Sequence, residues 1–298
     1  MKYLSVQEVA LLWNIAERSV RDYCAKGRVP GATLKGKIWF IPEGSLKPNR
    51  QVRHSKKAQT LLEILQREKD AKIKGGIYHK LQIDMTYNSN HIEGSKLTHD
   101  ETRFIYETRT IGVIKGTVNV DDIIETVNHF RCIDTVIDNA KSKLNESFIK
   151  QLHLILKNGT NDATQPWFMV GGYKLMPNEV GDRKTTAPAK VKEAMRNLLS
   201  WYNEKENITI EDIIEFHKDF EYIHPFQDGN GRIGRLIMLK ECLKHNIVPV
   251  LILDDFKQFY YRGLSKWNEE KRYLIDTCLR GQDIVKSYLD YFQIKYEK

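Results

Sequence analysis

The sequence predicts a mainly helical protein built in two parts, and three observations carry that expectation. From residue 58 onward apolar side chains recur at helical spacing in almost every stretch. Ahead of them, residues 1–45 read as helix, turn, helix and hairpin, followed by a basic linker at 46–57 that is rich in Lys and Arg and poor in apolar residues. The net charge of +8 sits entirely in the front part: residues 1–57 hold 12 Lys and Arg against 4 Asp and Glu, and the remaining 241 hold 35 of each sign. A basic head on a balanced body suits an anionic partner, above all nucleic acid.

Composition narrows the class further. A hydrophobic content of 41% is enough for a packed core, and 298 residues suffice for one large and one small domain. No apolar run approaches the ~20 residues of a membrane span. Met1-Lys2-Tyr3 leads directly into a helical pattern with no signal-peptide core, so a cytosolic protein with no membrane partner is expected. Cys24, Cys132, Cys242 and Cys278 are far apart and form no CxxC pair, which favours buried apolar roles over disulfides or a zinc knuckle.

Along the head, Ser5-Val6-Gln7-Glu8 has the form of a capping box and opens a helix with Val6, Val9, Ala10, Leu12 and Trp13 on its apolar side. A turn at Asn14-Ile15 leads to a second helix near 17–25, with Arg18, Ser19, Arg21 and Asp22 outward and Val20, Tyr23 and Cys24 inward. Gly27 and Pro30 end it. Residues 32–41 read as a hairpin turning at Lys35-Gly36, with Ile38 and Phe40 alternating against Trp39 and Ile41. This is the order of a winged helix-turn-helix, and residues 4–42 are similar to the small DNA-reading module of excisionase and MerR-type proteins. The resemblance implies Arg18, Ser19 and Arg21 facing a major groove and Lys35 and Lys37 touching phosphates. One such unit binds weakly, so a homodimer or tandem half-sites would be needed for tight binding to DNA.

In the body, helices are expected at about 58–73, 77–91, 98–108, 120–142, 147–157, 188–203, 210–223 and 231–245, with more after 254. Phe256, Phe259, Tyr260, Tyr261 and Trp267, then Leu274, Ile275, Leu289 and Phe292, read as faces sealing the core. His217 lies seven residues before His224 and reads as a core or supporting histidine, since no third metal ligand is spaced with them. Residues 159–190 form a long connection with Gly159, Pro166, Gly171-Gly172, Pro177 and Pro188. Loops of that length in a compact domain are usually functional.

The most informative stretch is His224-Pro225-Phe226-Gln227-Asp228-Gly229-Asn230-Gly231-Arg232-Ile233-Gly234-Arg235, between two amphipathic helices. Backbone N–H groups of residues 229–232 stand at a helix N-terminus, where free donors and the helix dipole favour an anion. Arg232 and Arg235, three apart, are expected to point at that same anion, which suits a polyphosphate. Asp228 is placed to hold Mg²⁺ shared with phosphate oxygens, and His224, ending the preceding helix, to take a proton from a hydroxyl. A Walker A lysine is missing, so this is not a P-loop.

Every defined position of this run, HPF, one residue, Asp or Glu, GNGR, two residues, Arg, matches the signature loop of Fic-domain proteins, which the chain resembles. That resemblance implies an all-helical Fic domain at 58–298 with a β-hairpin flap at about 168–186 that presents a target hydroxyl. Lys174 stands there where an arginine is common. It implies transfer of AMP from ATP to a Ser, Thr or Tyr hydroxyl of a protein target, which includes the chain itself. His224 would be the base, Asp228 the Mg²⁺ ligand, Gly229, Asn230 and Gly231 the anion cradle, and Arg232 and Arg235 the β- and γ-phosphate clamps. Ser89-Asn90-His91-Ile92-Glu93-Gly94 reads by itself as a helix C-terminus with Gly94 as its cap. In self-inhibited Fic proteins a helix ending Ser or Thr, three residues, Glu, then Gly or Asn lies over the nucleotide site. Ser89, Glu93 and Gly94 fit that pattern, which implies an inhibitory helix at about 77–93 with Glu93 on Arg235. Alternatives are removal of AMP, transfer of phosphate, UMP or phosphocholine, and a DNA-bound regulator whose Fic part senses nucleotide.

Overall fold

The structure is a computed structural model, and residues 2–48, 59–112, 117–181 and 183–296 are described. The chain divides into two compact units, Met1–Lys57 and Ala58–Lys298. Most of the expected linker, residues 49–57, lies outside the described residues.

In the first unit β1 (Tyr3–Leu4), α1 (Val6–Trp13), α2 (Glu17–Ala25), β2 (Thr33–Lys35) and β3 (Ile38–Pro42) follow in order. Ser5 and Glu8 cap α1 reciprocally, and Asn14 stops it in the left-handed conformation at φ 49. The strands form an antiparallel sheet in the order β1-β3-β2 over a core of Val6, Val9, Val20, Cys24, Val29 and Ile41. Two expectations change. Lys35 pairs with Ile38, so the hairpin turns at Gly36-Lys37, one residue later than expected, and Gly36 supplies the positive φ of 66 that such a two-residue turn requires. Leu12 is 70% exposed rather than inward, because the seam of α1 runs through Val6, Val9 and Ala10 with Trp13 half-buried at its end.

The second unit holds α3 (Leu61–Asp70), α4 (Ile77–Ile92), α5 (His99–Thr108), α6 (Val120–Asn139), α7 (Glu146–Lys157), the hairpin β4 (Glu179–Val180) and β5 (Arg183–Lys184), α8 (Pro188–Asn203), α9 (Ile210–Ile223), α10 (Asn230–Lys244), α11 (Lys257–Ser265) and α12 (Arg272–Tyr291). Capping boxes at Thr60, Thr98 and Thr209 start α3, α5 and α9, and Pro188 opens α8 at the position where its missing N–H does least harm.

The expected one-sided apolar face of α10 understates its burial, since every residue from Asn230 to Leu243 is buried. Ile233, Leu236 and Ile237 join a core with Cys132, Ile133 and Val136 of α6, Leu152 and Leu156 of α7, and Phe216 and Phe220 of α9. Charged residues on such a helix have to be paired. Lys240 accordingly donates to Glu241 and to the carbonyls of Ala140 and Ser142, and Tyr202 donates to Glu241. His217 is a core histidine, with Nε2 2.6 Å from the Tyr260 hydroxyl. All four cysteines are buried and free. Phe259 and Tyr261 do not seal the core as expected; both are exposed, and Tyr261 instead donates its hydroxyl to the Ile92 carbonyl. Among the described residues no helix is long and apolar enough to cross a membrane.

Candidate active site

The joint between α9 and α10 is closed by its own side chains. His224 caps α9 in the left-handed conformation at φ 51, its N–H donating to the Phe220 carbonyl at 2.9 Å, and Pro225 brings no donor with which to continue. Phe226 is fully buried and stacks on His153 at 4.0 Å. Asn230 accepts the Phe226 N–H at 2.8 Å and donates to the Phe226 carbonyl at 2.9 Å and to His224 Nδ1 at 3.1 Å. Its side chain therefore holds the loop, and only its backbone remains for the expected cradle. Gly229 begins α10 at φ 81, a conformation that strains any other L residue.

The end of α4 lies against the head of α10. Glu93, the residue after Ile92, accepts from Arg235 Nη2 at 2.7 Å, while Arg235 also donates to the Ser89 hydroxyl at 3.0 Å and the Ser89 carbonyl at 2.9 Å. A methyl group on Gly231 would overlap Glu93 Oε1. A carboxylate thus sits where the helix N-terminus favours an anion. Burial alone would lower the Arg235 guanidinium, but Glu93 outweighs it and holds it above its ordinary value. Arg235 Nη1 and Arg232 Nε remain buried without partners among the described residues, donors that a second anion would satisfy.

Arg232 does not share Arg235's partner as expected. Its Nη1 donates to Glu125 on α6 and its Nη2 to Asp228 Oδ2 at 3.0 Å. Lys157, at the end of α7 and only 2% exposed, donates to Glu125, to Asp162 at 3.0 Å and to the same Asp228 oxygen at 2.7 Å. Lys157, Glu125, Arg232 and Asp228 therefore form a closed ring of four charges drawn from α6, α7, α10 and the loop. Burial pushes the Asp228 carboxyl up, but Arg232 and Lys157 overcome it and hold the acid well below the usual carboxylate range. Its side chain is half-exposed. No cluster of three or more metal-ligating residues occurs among the described residues. One half-exposed, ionised carboxylate beside a phosphate cradle fits an ion that draws its other ligands from substrate oxygens and water.

His224 is set from the other side by the arm leading into the hairpin. Asn178 donates to His224 Nδ1 at 3.1 Å and to the Phe226 carbonyl at 3.1 Å. Burial, then Lys174 and Arg183, push the imidazole down to about 4 against the opposing pull of Asp228 and Glu93. Glu221, one turn earlier on α9, is raised to about 8 by burial and by Glu93, opposed by Arg235 and Arg183. The expected flap at 168–186 contains a shorter hairpin, Glu179 pairing with Lys184 and Val180 with Arg183; Asp182 at its tip lies outside the described residues. Phe168 is buried against His153. Reasoning from sequence missed Glu125, Lys157, Asn178 and Glu221. The available signal was a charged residue inside an apolar stripe, as Lys157 is after Leu152 and Leu156.

Residues 143–242, from just before α7 to near the end of α10, match the sequence model of the Fic/DOC family. These residues carry a Fic/DOC domain. It is similar to a Fic domain containing signaling protein from Bacteroides thetaiotaomicron, 25% identical with a TM-score of 0.63, over 80% of this chain and 97% of that one. It is 26% identical over 186 residues to a protein adenylyltransferase Fic of Nematostella vectensis, covering 61% of this chain and 42% of the relative. A protein adenylyltransferase Fic of Aedes aegypti is 26% identical over 210 residues, covering 68% and 41%. The chain spans about two fifths of the length of these curated relatives. The mainly helical architecture with a small hairpin is that of solved Fic structures.

Proposed function

We propose that this protein transfers AMP from ATP to a Ser, Thr or Tyr hydroxyl of a protein target, and that Glu93 restrains it. The observation that carries this reading is the Glu93 carboxylate, which overlies Gly231 at the head of α10 and takes a hydrogen bond from Arg235, in the position suited to a phosphate. With Glu93 withdrawn, Arg235 and the backbone of residues 229–231 hold the terminal phosphates, and Arg232 offers its free Nε. The hydroxyl proton passes to Nδ1 of the neutral His224 ring as the oxygen bonds to the α-phosphorus. The bond from that phosphorus to its bridging oxygen breaks, and pyrophosphate leaves with the electron pair. Magnesium bound at Asp228 would supply neutralisation of the phosphate charge. A groove of about 610 Å³ beside the hairpin, lined by Arg183, Thr185, Trp201, Glu215, Asp219 and Tyr222, suits a target polypeptide.

The test is mass spectrometry for an AMP adduct on the chain or in lysate, using the Glu93→Gly variant with Mg²⁺ and ATP. Adding His224→Ala to that variant abolishes the adduct while the melting curve is unchanged; transfer that survives the substitution removes the assigned base. The front unit is proposed to meet DNA, since Arg18 and Arg21 on α2 and Lys35 and Lys37 at the hairpin turn are exposed and Ser19 is half-exposed beside them.

A further inference from the structure

The His224 ring is contacted from the joint by Asn230 and from the hairpin arm by Asn178, and the arm's contact is backed by a cation with no acidic partner among the described residues. Lys174 is 2% exposed. Its ammonium donates to Asn178 Oδ1 at 2.7 Å, to the Thr185 hydroxyl at 2.6 Å and toward the Ile223 carbonyl at 3.5 Å, and no carboxylate pairs with it among the described residues. Its backbone N–H donates to the Pro225 carbonyl at 2.9 Å, which ties the arm to the joint. Arg183 adds a second cation whose hydrogen bonds go to carbonyls, those of Tyr222 at 3.0 Å and Glu221 at 3.1 Å, while its guanidinium lies over the Tyr222 ring at 4.2 Å. Both cations meet the carbonyl end of α9, whose dipole favours positive charge.

The consequence lies in the amide of Asn178. With its oxygen taken by Lys174 and Thr185, its NH₂ must face His224, where it donates to Nδ1. Asn230 is oriented the same way, its oxygen being taken by the Phe226 N–H. A nitrogen that accepts two donors carries a lone pair, so the neutral ring holds its proton on Nε2. On the reading of this site as an AMP transferase, we propose that Lys174 and Asn178 are positioning residues for His224: Lys174 orients the Asn178 amide, and the amide keeps the lone pair on Nδ1, which takes the hydroxyl proton once the hydroxyl displaces an amide donor there.

The same ammonium keeps the ring neutral. The charged groups facing His224 are Lys174 and Arg183 from the hairpin arm, Asp228 from the loop and Glu93 from the end of α4. Of these, Lys174 opposes ring protonation most strongly, second only to burial itself. Polyphosphate entering the cradle brings negative charge that raises the ring toward working pH, so a low starting value leaves the base uncharged when the nucleotide arrives.

The experiment compares Lys174→Met, Lys174→Arg and Asn178→Asp in the full chain carrying Glu93→Gly. Titration of ¹³C-labelled histidine rings, with His224 assigned by its loss in His224→Ala, reads the ring directly. The acid limb of kcat/KM for AMP transfer reads it in action. Removing the charge in Lys174→Met moves the midpoint and the acid limb upward by about one pH unit, which is about a tenfold loss of rate below the limb. Lys174→Arg keeps both in place, and Asn178→Asp moves both upward by placing a carboxylate against Nδ1. An unmoved midpoint in a folded Lys174→Met variant overturns the proposal. Should that variant not fold, an unmoved midpoint in Asn178→Asp does so. If no variant forms an AMP adduct, the transferase reading falls, while the ring titration still decides the role of Lys174.

Discussion

Replacing Glu93 by glycine removes one charged hydrogen bond of 2.7 Å to Arg235 and clears the carboxylate from Gly231. A hydrogen bond between ionised partners contributes about 1.5–3 kcal/mol. At about 1.4 kcal/mol per tenfold change, its loss makes productive ATP binding about ten- to a hundredfold more favourable. Arg235 keeps its bonds to Ser89, so the freed guanidinium stays near the head of α10 instead of swinging away. The substitution also leaves a buried cation without its acid, which costs up to roughly 3–5 kcal/mol of stability. Two signals therefore move in opposite directions: the nucleotide-free variant melts below the wild type, and Mg²⁺ with ATP raises its melting temperature more than that of the wild type. The assay is incorporation of labelled AMP alongside thermal unfolding with and without nucleotide. Equal or lower incorporation together with no added nucleotide stabilisation would refute the reasoning.

Three other outcomes are expected. Glu125→Gln weakens the anionic bridge between Lys157 and Arg232, so its denaturation midpoint falls, by up to roughly 5 kcal/mol in stability; an unchanged midpoint contradicts the ring. The Glu221 carboxyl is raised to about 8 from 4.5, so its contribution to stability is fully present below 4.5 and is lost as pH rises toward 8, at about 1.4 kcal/mol per unit of separation. Glu221→Gln has no such loss, and urea midpoints taken at roughly pH 5 and 9 should fall more for the wild type; parallel curves would show that the acid is not held neutral. Retention of the full chain on duplex DNA should weaken with salt, and replacing Lys35 and Lys37 by alanine should lower the slope of log K against log salt by about two, one for each phosphate contact; salt-independent retention counts against a DNA partner.

Much of the helical framework was legible because apolar periodicity and capping residues are local properties. Ser5 with Glu8 does what its spacing suggests. The misreadings share a cause. Leu12, Phe259 and Tyr261 are apolar or aromatic residues near a helical stripe, and only the neighbouring elements decide whether they fall inside the seam or beside it. The hairpin turn slipped by one residue because a Lys-Gly-Lys tip leaves the register to strand pairing, which here matches Lys35 to Ile38.

For the candidate site, the joint was legible as a run of twelve residues, but the partners of its charges were not. Two arginines three apart on a helix differ in direction by about 60°. On a half-exposed helix that difference still lets both reach one anion in the solvent-facing groove. On α10, which is covered all round, the same difference sends Arg232 to Glu125 on α6 and Arg235 to Ser89 and Glu93 at the end of α4. The two guanidinium groups are thus under separate control. Arg232 is locked into a ring with Asp228 and Lys157, whereas Arg235 is held by the last turn of one helix and the residue after it. Relief of the proposed inhibition then requires only that the end of α4 shift, and the core of α6, α7, α9 and α10 can stay as it is while the phosphate site opens.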